Sequence, residues 1–220
     1  MSDVIITVRG EHELRIAPER ATVHLTVSFD GADRAQVVER TLAAVGPTRE
    51  RLETQKAAGS VVEWSSERMG VFSDRPWNSE GRQLAPLHRA SVEFTATFCD
   101  ISAMSEWVAE ISGEDGVSVG YIDWHLTPQT EAEVEREVAA QAVGVAVARA
   151  RAYAEALGLH NVMPLEIADR GLISEGGMPV QAKAAMRAGA AFDMEASGGF
   201  ELQGEEITVS ATVEGRFAAN

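Results

Sequence analysis

The chain has 220 residues, 45% of them apolar, which is enough for one large domain or two closely joined subdomains. Its 19 Lys and Arg residues and 34 Asp and Glu residues give a formal charge of -15, with no basic patch. That charge repels a phosphate backbone, so we expect no nucleic-acid partner. The single cysteine, Cys99, excludes an intramolecular disulfide and a zinc site of several thiolates.

The first predicted elements are two strands. Residues 4–10 begin with five β-branched side chains, VIITV, and residues 21–29 alternate between apolar and polar side chains, the period of a strand with one buried face. No basic and apolar leader precedes them, so we expect a cytoplasmic protein if the chain is full length. The most apolar helical run, residues 139–148, is too short and too polar to span a bilayer.

A helix is predicted next, from Asp33 to about Ala58. The pair Gly46-Pro47 in its middle is expected to kink the helix or to restart it. The apolar positions that recur at helical spacing, and are therefore expected to face the core, are Val38, Leu42, Val45 and Leu52.

Two further strands, residues 61–72 and 88–99, are predicted to flank a long polar hairpin. Asp100 is placed to cap a second helix, and a strand at 117–126 is expected to bulge near Gly120. The order β-α-β-β-α-β over residues 21–126 predicts a ferredoxin-like core, an antiparallel sheet with both helices on one face.

Residues 127–220 predict a long third helix, two strands and an insert. The helix is expected to begin at a capping box, Thr130 to Glu133, and to end at Gly158. Its expected inward face is Val134, Val138, Ala142, Val145, Ala152 and Ala156. Strands are predicted at 162–169 and 206–217, with the insert at 174–203. The predicted fold class is therefore α/β (α+β), a ferredoxin-like core with a second, closely packed subdomain.

Several segments together resemble the SIMPL domain family. ITVRG (6–10) and APERATV (17–23) are similar to its opening motif, ARAYAEALGL (150–159) to its alanine-ladder helix, and GEEITVSATV (204–213) to its last strand. The match spans nearly the whole chain, as one domain over 1–220. Family members include periplasmic or secreted bacterial proteins and a eukaryotic adaptor that interacts with a signalling kinase. Unlike the secreted members, this chain is expected to carry no leader if it is full length, and Arg9 stands where a small residue is common.

The resemblance implies an α/β protein that self-associates, with ring-like assemblies as one form, and it offers no catalytic residues to carry over. The residues agree, because no nucleophile elbow, phosphate loop or dinucleotide fingerprint follows a strand. We therefore expect neither an enzyme nor a cofactor. Cys99 is interpreted as a half-buried small residue rather than a nucleophile. The acidic run Glu131, Glu133, Glu135 and Glu137 is interpreted as a solvated helix start.

The five histidines do not show the spacing of a helical metal pair. His24 and His125 are predicted on strands and could converge, so a metal site stays open beside solvent-facing or hydrogen-bonded histidines. We name no ligands.

Trp77 stands between Pro76 and Asn78 at the predicted hairpin tip, where burial in its own subunit is difficult. It is interpreted either as an interface anchor or as a side chain packed on its own loop. The insert contributes further apolar interaction candidates, Met178, Met186, Phe192, Met194 and Phe200, with a flap over the subunit's own core as the alternative.

We therefore expect a non-enzymatic scaffold that forms homo-oligomers and binds another protein. The alternative hypothesis is a small-ligand-binding protein, or an unrecognised hydrolase, with a cleft beneath the 174–203 insert.

Overall fold

The structure, a computed structural model, describes residues 4–173 and 202–220. Its elements are β1 (Val4–Ile16), β2 (Arg20–Gly31), α1 (Arg34–Ala58), β3 (Val61–Ser66), β4 (Gly70–Asp74), β5 (Leu87–Phe98), α2 (Ile101–Ile111), β6 (Val117–His125), α3 (Pro128–Ala156), β7 (Val162–Asp169) and β8 (Ile207–Ala219). The described residues form two compact units, each with its own hydrophobic core. No helix in these ranges is long and apolar enough to cross a membrane.

The five-stranded unit comprises residues 18–125 and 202–205. Its strand order is β3-β5-β2-β6, with every neighbouring pair antiparallel, and β4 pairs with β5 beyond the end of β3. This order and the element sequence are ferredoxin-like, which confirms the predicted fold class. The predicted strand 61–72 is divided, because β3 and β4 pair with opposite ends of β5.

Alternation along the central strand β2 separates the two faces of this sheet. Ala21, Val23, Leu25 and Val27 are buried in one cluster with Leu52 of α1 and Trp107 of α2. Both helices therefore cover the same face, as the sequence predicts. The residues between, from Thr22 to Ser28, point to the opposite face, because successive side chains of a strand alternate.

Helix α1 runs from Arg34 to Ala58 without interruption, with Pro47 inside it. Pro47 lies on the exposed side, as does Ala43, whose carbonyl would have accepted the missing N–H bond. That carbonyl is therefore accessible to water. Asp33 caps the helix by accepting from Ala35 N at 2.8 Å.

The predicted core face of α1 is wrong at Leu42, which is exposed, whereas Thr41 and Thr48 are fully buried. Each threonine hydroxyl donates to the carbonyl four residues earlier, to Val37 at 2.8 Å and to Ala44 at 3.0 Å. Because those bonds satisfy the hydroxyls inside the helix, threonine is tolerated in the core. Apolar spacing alone therefore could not locate this face.

The three-stranded unit comprises residues 4–17, 126–173 and 206–220. Its antiparallel sheet has the order β1-β8-β7, and β1 pairs with β8 along its whole length, from Val4 to Ile16. Helix α3 packs on this sheet. Its cap is Thr127, whose hydroxyl accepts from Thr130 N, so the predicted capping box at Thr130 is wrong. Pro128 at the first helical position explains the shift, since that position suits proline.

The buried row of α3 has an unbroken spacing of four: Val134, Val138, Ala142, Ala146, Ala150 and Ala154. The prediction is correct for the first three and wrong at Val145, Ala152 and Ala156. A spacing of four exceeds the helical turn of about 3.6 residues, so the row rotates around the helix, and a twisted sheet can follow it. Alanine and valine occur on several sides of α3, so composition did not distinguish the faces.

The contact between β1 and α3 depends on Gly10. A Cβ at this position would lie 2.0 Å from the carbonyl oxygen of Ala142 and 2.6 Å from the amide nitrogen of Ala146. No side chain fits at these distances, because the obstructing atoms are backbone. Glycine in β1 and small residues in α3 together permit the close approach.

We expect Gly10→Ala to lower the free energy of unfolding of the three-stranded unit by about 3 kcal/mol, since α3 must move away from β1. Gly144→Ala is the matched control, because a Cβ there meets nothing within 4 Å, and it should raise stability by about 0.5–1 kcal/mol. Urea unfolding followed by far-UV circular dichroism measures both free energies. Tryptophan fluorescence would not follow this unit, because all four tryptophans lie in the five-stranded unit. Equal stability of the two variants would contradict the close packing.

Candidate functional site

The hairpin formed by β4, β5 and the loop between them carries the most exposed aromatic residues described in the five-stranded unit. Phe72 is 68% exposed, Trp77 67%, Leu84 47% and Leu87 40%, and we call these four residues the hairpin surface. Pairing of β4 with β5 and a bridge between Trp77 and Gln83 hold the loop together. Four large apolar side chains on one short segment are more than scattered surface residues normally provide.

The loop backbone is well defined by its own hydrogen bonds. Leu84 N donates to the Pro76 carbonyl at 2.8 Å. The Asn78 side chain accepts from Glu80 N at 3.1 Å and from Arg82 N at 2.8 Å. These hydrogen bonds stabilise the turn from which Trp77 projects. Trp77 is therefore exposed on a structured loop.

The charge around the hairpin surface differs from that of the chain. Residues 70–89 contain three arginines, Arg75, Arg82 and Arg89, and two acids, Asp74 and Glu80, whereas the whole chain has a formal charge of -15. The hairpin therefore presents apolar and basic groups together on an acidic protein.

The predicted interaction residues have different outcomes. Trp77 lies at the hairpin tip and is exposed, while Met178, Met186, Phe192, Met194 and Phe200 lie outside the described residues. Their interface roles stay predictions. Sequence reasoning missed Phe72, Leu84 and Leu87, although apolar residues in and beside a loop that contains proline and arginine were a usable signal. Leu202, near the end of the predicted 174–203 insert, packs on the core and donates its N–H to Ser105 Oγ at 3.2 Å.

A groove of ≈ 270 Å³ lies on the face of the five-stranded sheet opposite α1 and α2. It is lined by residues of β2, β5 and β6 and by the end of β3 and its neighbour Glu67. A bulge in β6 shapes one wall. Val23 pairs with Ile122 and Leu25 with Val119, so Gly120 and Tyr121 both lie opposite His24. The bulge predicted near Gly120 is confirmed.

Contacts on this face orient His24. Its ring stacks on Tyr121 with centroids 4.1 Å apart and planes 13° apart. Its Nε2 atom lies 3.3 Å from Asp123 Oδ2, outside hydrogen-bond geometry. On the neighbouring strands Ser65 and Thr95 share a hydroxyl hydrogen bond of 2.7 Å. The groove is thus lined by an oriented imidazole, a phenol ring and hydroxyl groups.

The two strand histidines lie on the same sheet face but have separate partners. The His125 Nε2 atom is 2.9 Å from the Thr22 hydroxyl, which is also 2.9 Å from the Thr97 hydroxyl. Within residues 4–173 and 202–220, no group of three His, Cys, Asp or Glu side chains is arranged to hold a metal ion. Cys99 is exposed rather than half-buried, with Sγ 3.2 Å from the Gly59 carbonyl.

A comparison with models of protein families gives a match. The sequence model of the SIMPL family, described as a protein of unknown function (DUF541), matches residues 6–217. No curated protein matches the chain. The family match covers nearly all of the chain and assigns no activity to the groove or to the hairpin surface.

We expect Tyr121→Leu to remove the ring-current shift of the His24 proton resonances, because the stacked ring at 4.1 Å is lost. The free energy of unfolding should fall by no more than about 1 kcal/mol, since Tyr121 is half exposed. Tyr153→Leu on α3 removes an equally exposed tyrosine from the other unit and is the control. Proton NMR of the histidine rings measures the shift, and unchanged His24 signals in Tyr121→Leu would contradict the stacking.

Proposed function

Since the chain belongs to the SIMPL family, whose function is unknown, we propose that it is a non-enzymatic protein that self-associates through its hairpin surface. The observation that carries the proposal is the exposure of Phe72, Trp77, Leu84 and Leu87 on one structured hairpin. Aromatic and arginine side chains are the residues most often found at the centre of protein interfaces. Burying them would remove apolar area from water without any change in the fold.

The proposed occupant is a second copy of this chain, because the charges are complementary. The hairpin surface is flanked by Arg75, Arg82 and Arg89, and the chain as a whole is strongly acidic. The first turns of α3 carry an exposed acidic set that can receive the arginines: Glu131, Glu133, Glu135 and Glu137. Opposite charges at an interface direct association and select its geometry.

A hairpin that binds a different surface on the next copy makes a head-to-tail contact. Repetition of such a contact generates a ring when the rotation between copies closes, and a filament when it does not. We therefore include ring formation in the proposal. The hairpin surface would also serve for binding another protein. A cytoplasmic location of the chain stays a prediction.

The alternative function is small-ligand binding, or hydrolysis, in a cleft beneath the 174–203 insert. Residues 174–201 lie outside the described residues, so that cleft stays a hypothesis. The groove beside His24 favours ligand binding at a different place, on the face of the five-stranded sheet opposite α1 and α2.

We expect the unsubstituted chain to form a multimer and Trp77→Ser to weaken it by at least about 2 kcal/mol, the loss typical of a central interface residue. Leu84→Ser should weaken it less. Leu42→Ser is the matched control for Leu84→Ser, because Leu42 is a comparably exposed leucine on α1. Light scattering after size exclusion, over a range of protein concentrations, gives the mass of each variant.

The possible results distinguish the location of the contact surface from self-association itself. If the multimer persists in Trp77→Ser and Leu84→Ser but dissociates in Leu165→Ser, the contact lies at the exposed strand β7 and not at the hairpin surface. Self-association itself would then still hold. A monomeric unsubstituted chain at every concentration would refute self-association itself.

We expect assembly to weaken as salt rises from about 0.05 M to about 0.5 M, because exposed opposite charges are screened over a shorter distance. Arg82→Gln should flatten this dependence. Arg49→Gln removes an exposed arginine of α1 and should leave it unchanged. The same light-scattering measurement at each salt concentration tests both, and equal slopes for the two variants would contradict an electrostatic role of the hairpin.

A further inference from the structure

The groove on the sheet face opposite α1 and α2 is lined by polar and aromatic side chains. Its side chains include three hydroxyl residues, Thr26, Ser65 and Thr95, and the rings of His24 and Tyr121. Leu25 and Phe94 also border it, but both are buried, since alternate residues of these strands point to the opposite face. The lining is thus polar and aromatic, and its volume of ≈ 270 Å³ suits a small molecule.

The charge of the lining has one sign. Among the described residues that border the groove, Glu67 and Glu93 are carboxylates and none is Lys or Arg. The two glutamates are neighbours, because Glu67 N donates to the Glu93 carbonyl at 2.8 Å. Glu93 also lies opposite Thr26 in the β2–β5 pairing, so it shares the face of His24. An anion would therefore be repelled, and a cation attracted, at this place.

The aromatic wall faces the same space and is already oriented. The parallel stack of His24 on Tyr121 and the proximity of Asp123 to the imidazole limit the motion of both rings. Electron-rich ring faces bind organic cations, and the tyrosine side chain is half exposed. Carboxylates and an exposed aromatic ring that line one groove suit an alkylammonium group, which needs both a counter-charge and an apolar contact.

We propose that this groove binds a small organic amine in its ammonium form, with the charged group between Glu67 and Glu93 and the carbon chain against Tyr121 and His24. Hydroxyl oxygens of Thr26, Ser65 and Thr95 accept the remaining N–H hydrogen bonds. This site lies apart from the hairpin surface and does not depend on self-association.

The experiment is an NMR titration of the full chain with cadaverine, a diamine, at about 0.15 M salt, where diffuse attraction between exposed charges is screened. The expected result is a saturable shift of the His24 ring signals, which His24→Gln identifies by their loss. The signals of His12, His88 and His160 should stay in place, since these residues do not border the groove. The uncharged diol of the same chain length should give no saturable shift.

Two charge-matched variants locate the binding. Glu93→Gln should raise the dissociation constant about tenfold, because one charge-assisted contact is lost. Glu39→Gln removes the same charge from an exposed position on α1, outside the groove, and should leave the constant within about twofold. Both glutamates are exposed, so neither substitution disturbs a core.

Equal weakening by Glu93→Gln and Glu39→Gln would overturn the proposal, since it would indicate diffuse attraction to an acidic chain. Equal binding of the diol would also overturn it, as would the absence of a saturable shift at His24. The solution mass should be the same with and without cadaverine, so failure of the groove and failure of self-association give different results.

Discussion

The central strand β2 pairs with β5 on one side and with β6 on the other, and the five-stranded unit is organised around it. Its apolar residues are buried beneath α1 and α2, while His24 and its polar neighbours face the opposite direction. Because the side-chain period of a strand is two residues, a shift of one residue would exchange these faces. The core and the groove therefore depend on the same register, and one cannot change without the other.

The bulge opposite His24 connects this register with the site. An extra residue in β6 places Gly120 and Tyr121 against a single residue of β2, and so lets Tyr121 stack on the imidazole. Bulges redirect side chains where regular pairing would not. The carboxylates come from elsewhere, Glu93 from β5 and Glu67 from the segment after β3. Four distant parts of the chain thus supply one groove, while the hairpin surface comes from a single segment, residues 72–87.

The two surfaces differ in how far the sequence could predict them. Trp77 was identified because its local context, between Pro76 and Asn78 in a hairpin, makes burial difficult for a large ring. The groove was not identified, since a histidine, a tyrosine and two glutamates separated by many residues show no motif. His24 and His125 were expected to converge as one alternative, and the structure instead gives each its own partner, Asp123 and Thr22. Which side chains meet across neighbouring strands depends on the strand register, and the spacing of residues along the chain does not specify that register.

The sequence by itself determined the elements that depend on local physics. Strand alternation, the Asp100 cap, the bulge near Gly120 and the β-α-β-β-α-β order of the elements follow from residues close together in the chain. Tertiary structure alone decided the buried side of α3 beyond Ala142, the burial of Thr41 and Thr48, and the assembly of the groove. The physical reason is that alanine and threonine fit either environment. Whether they are buried depends on which backbone packs against them. At α3 that backbone is β1, which can approach closely because Gly10 has no side chain.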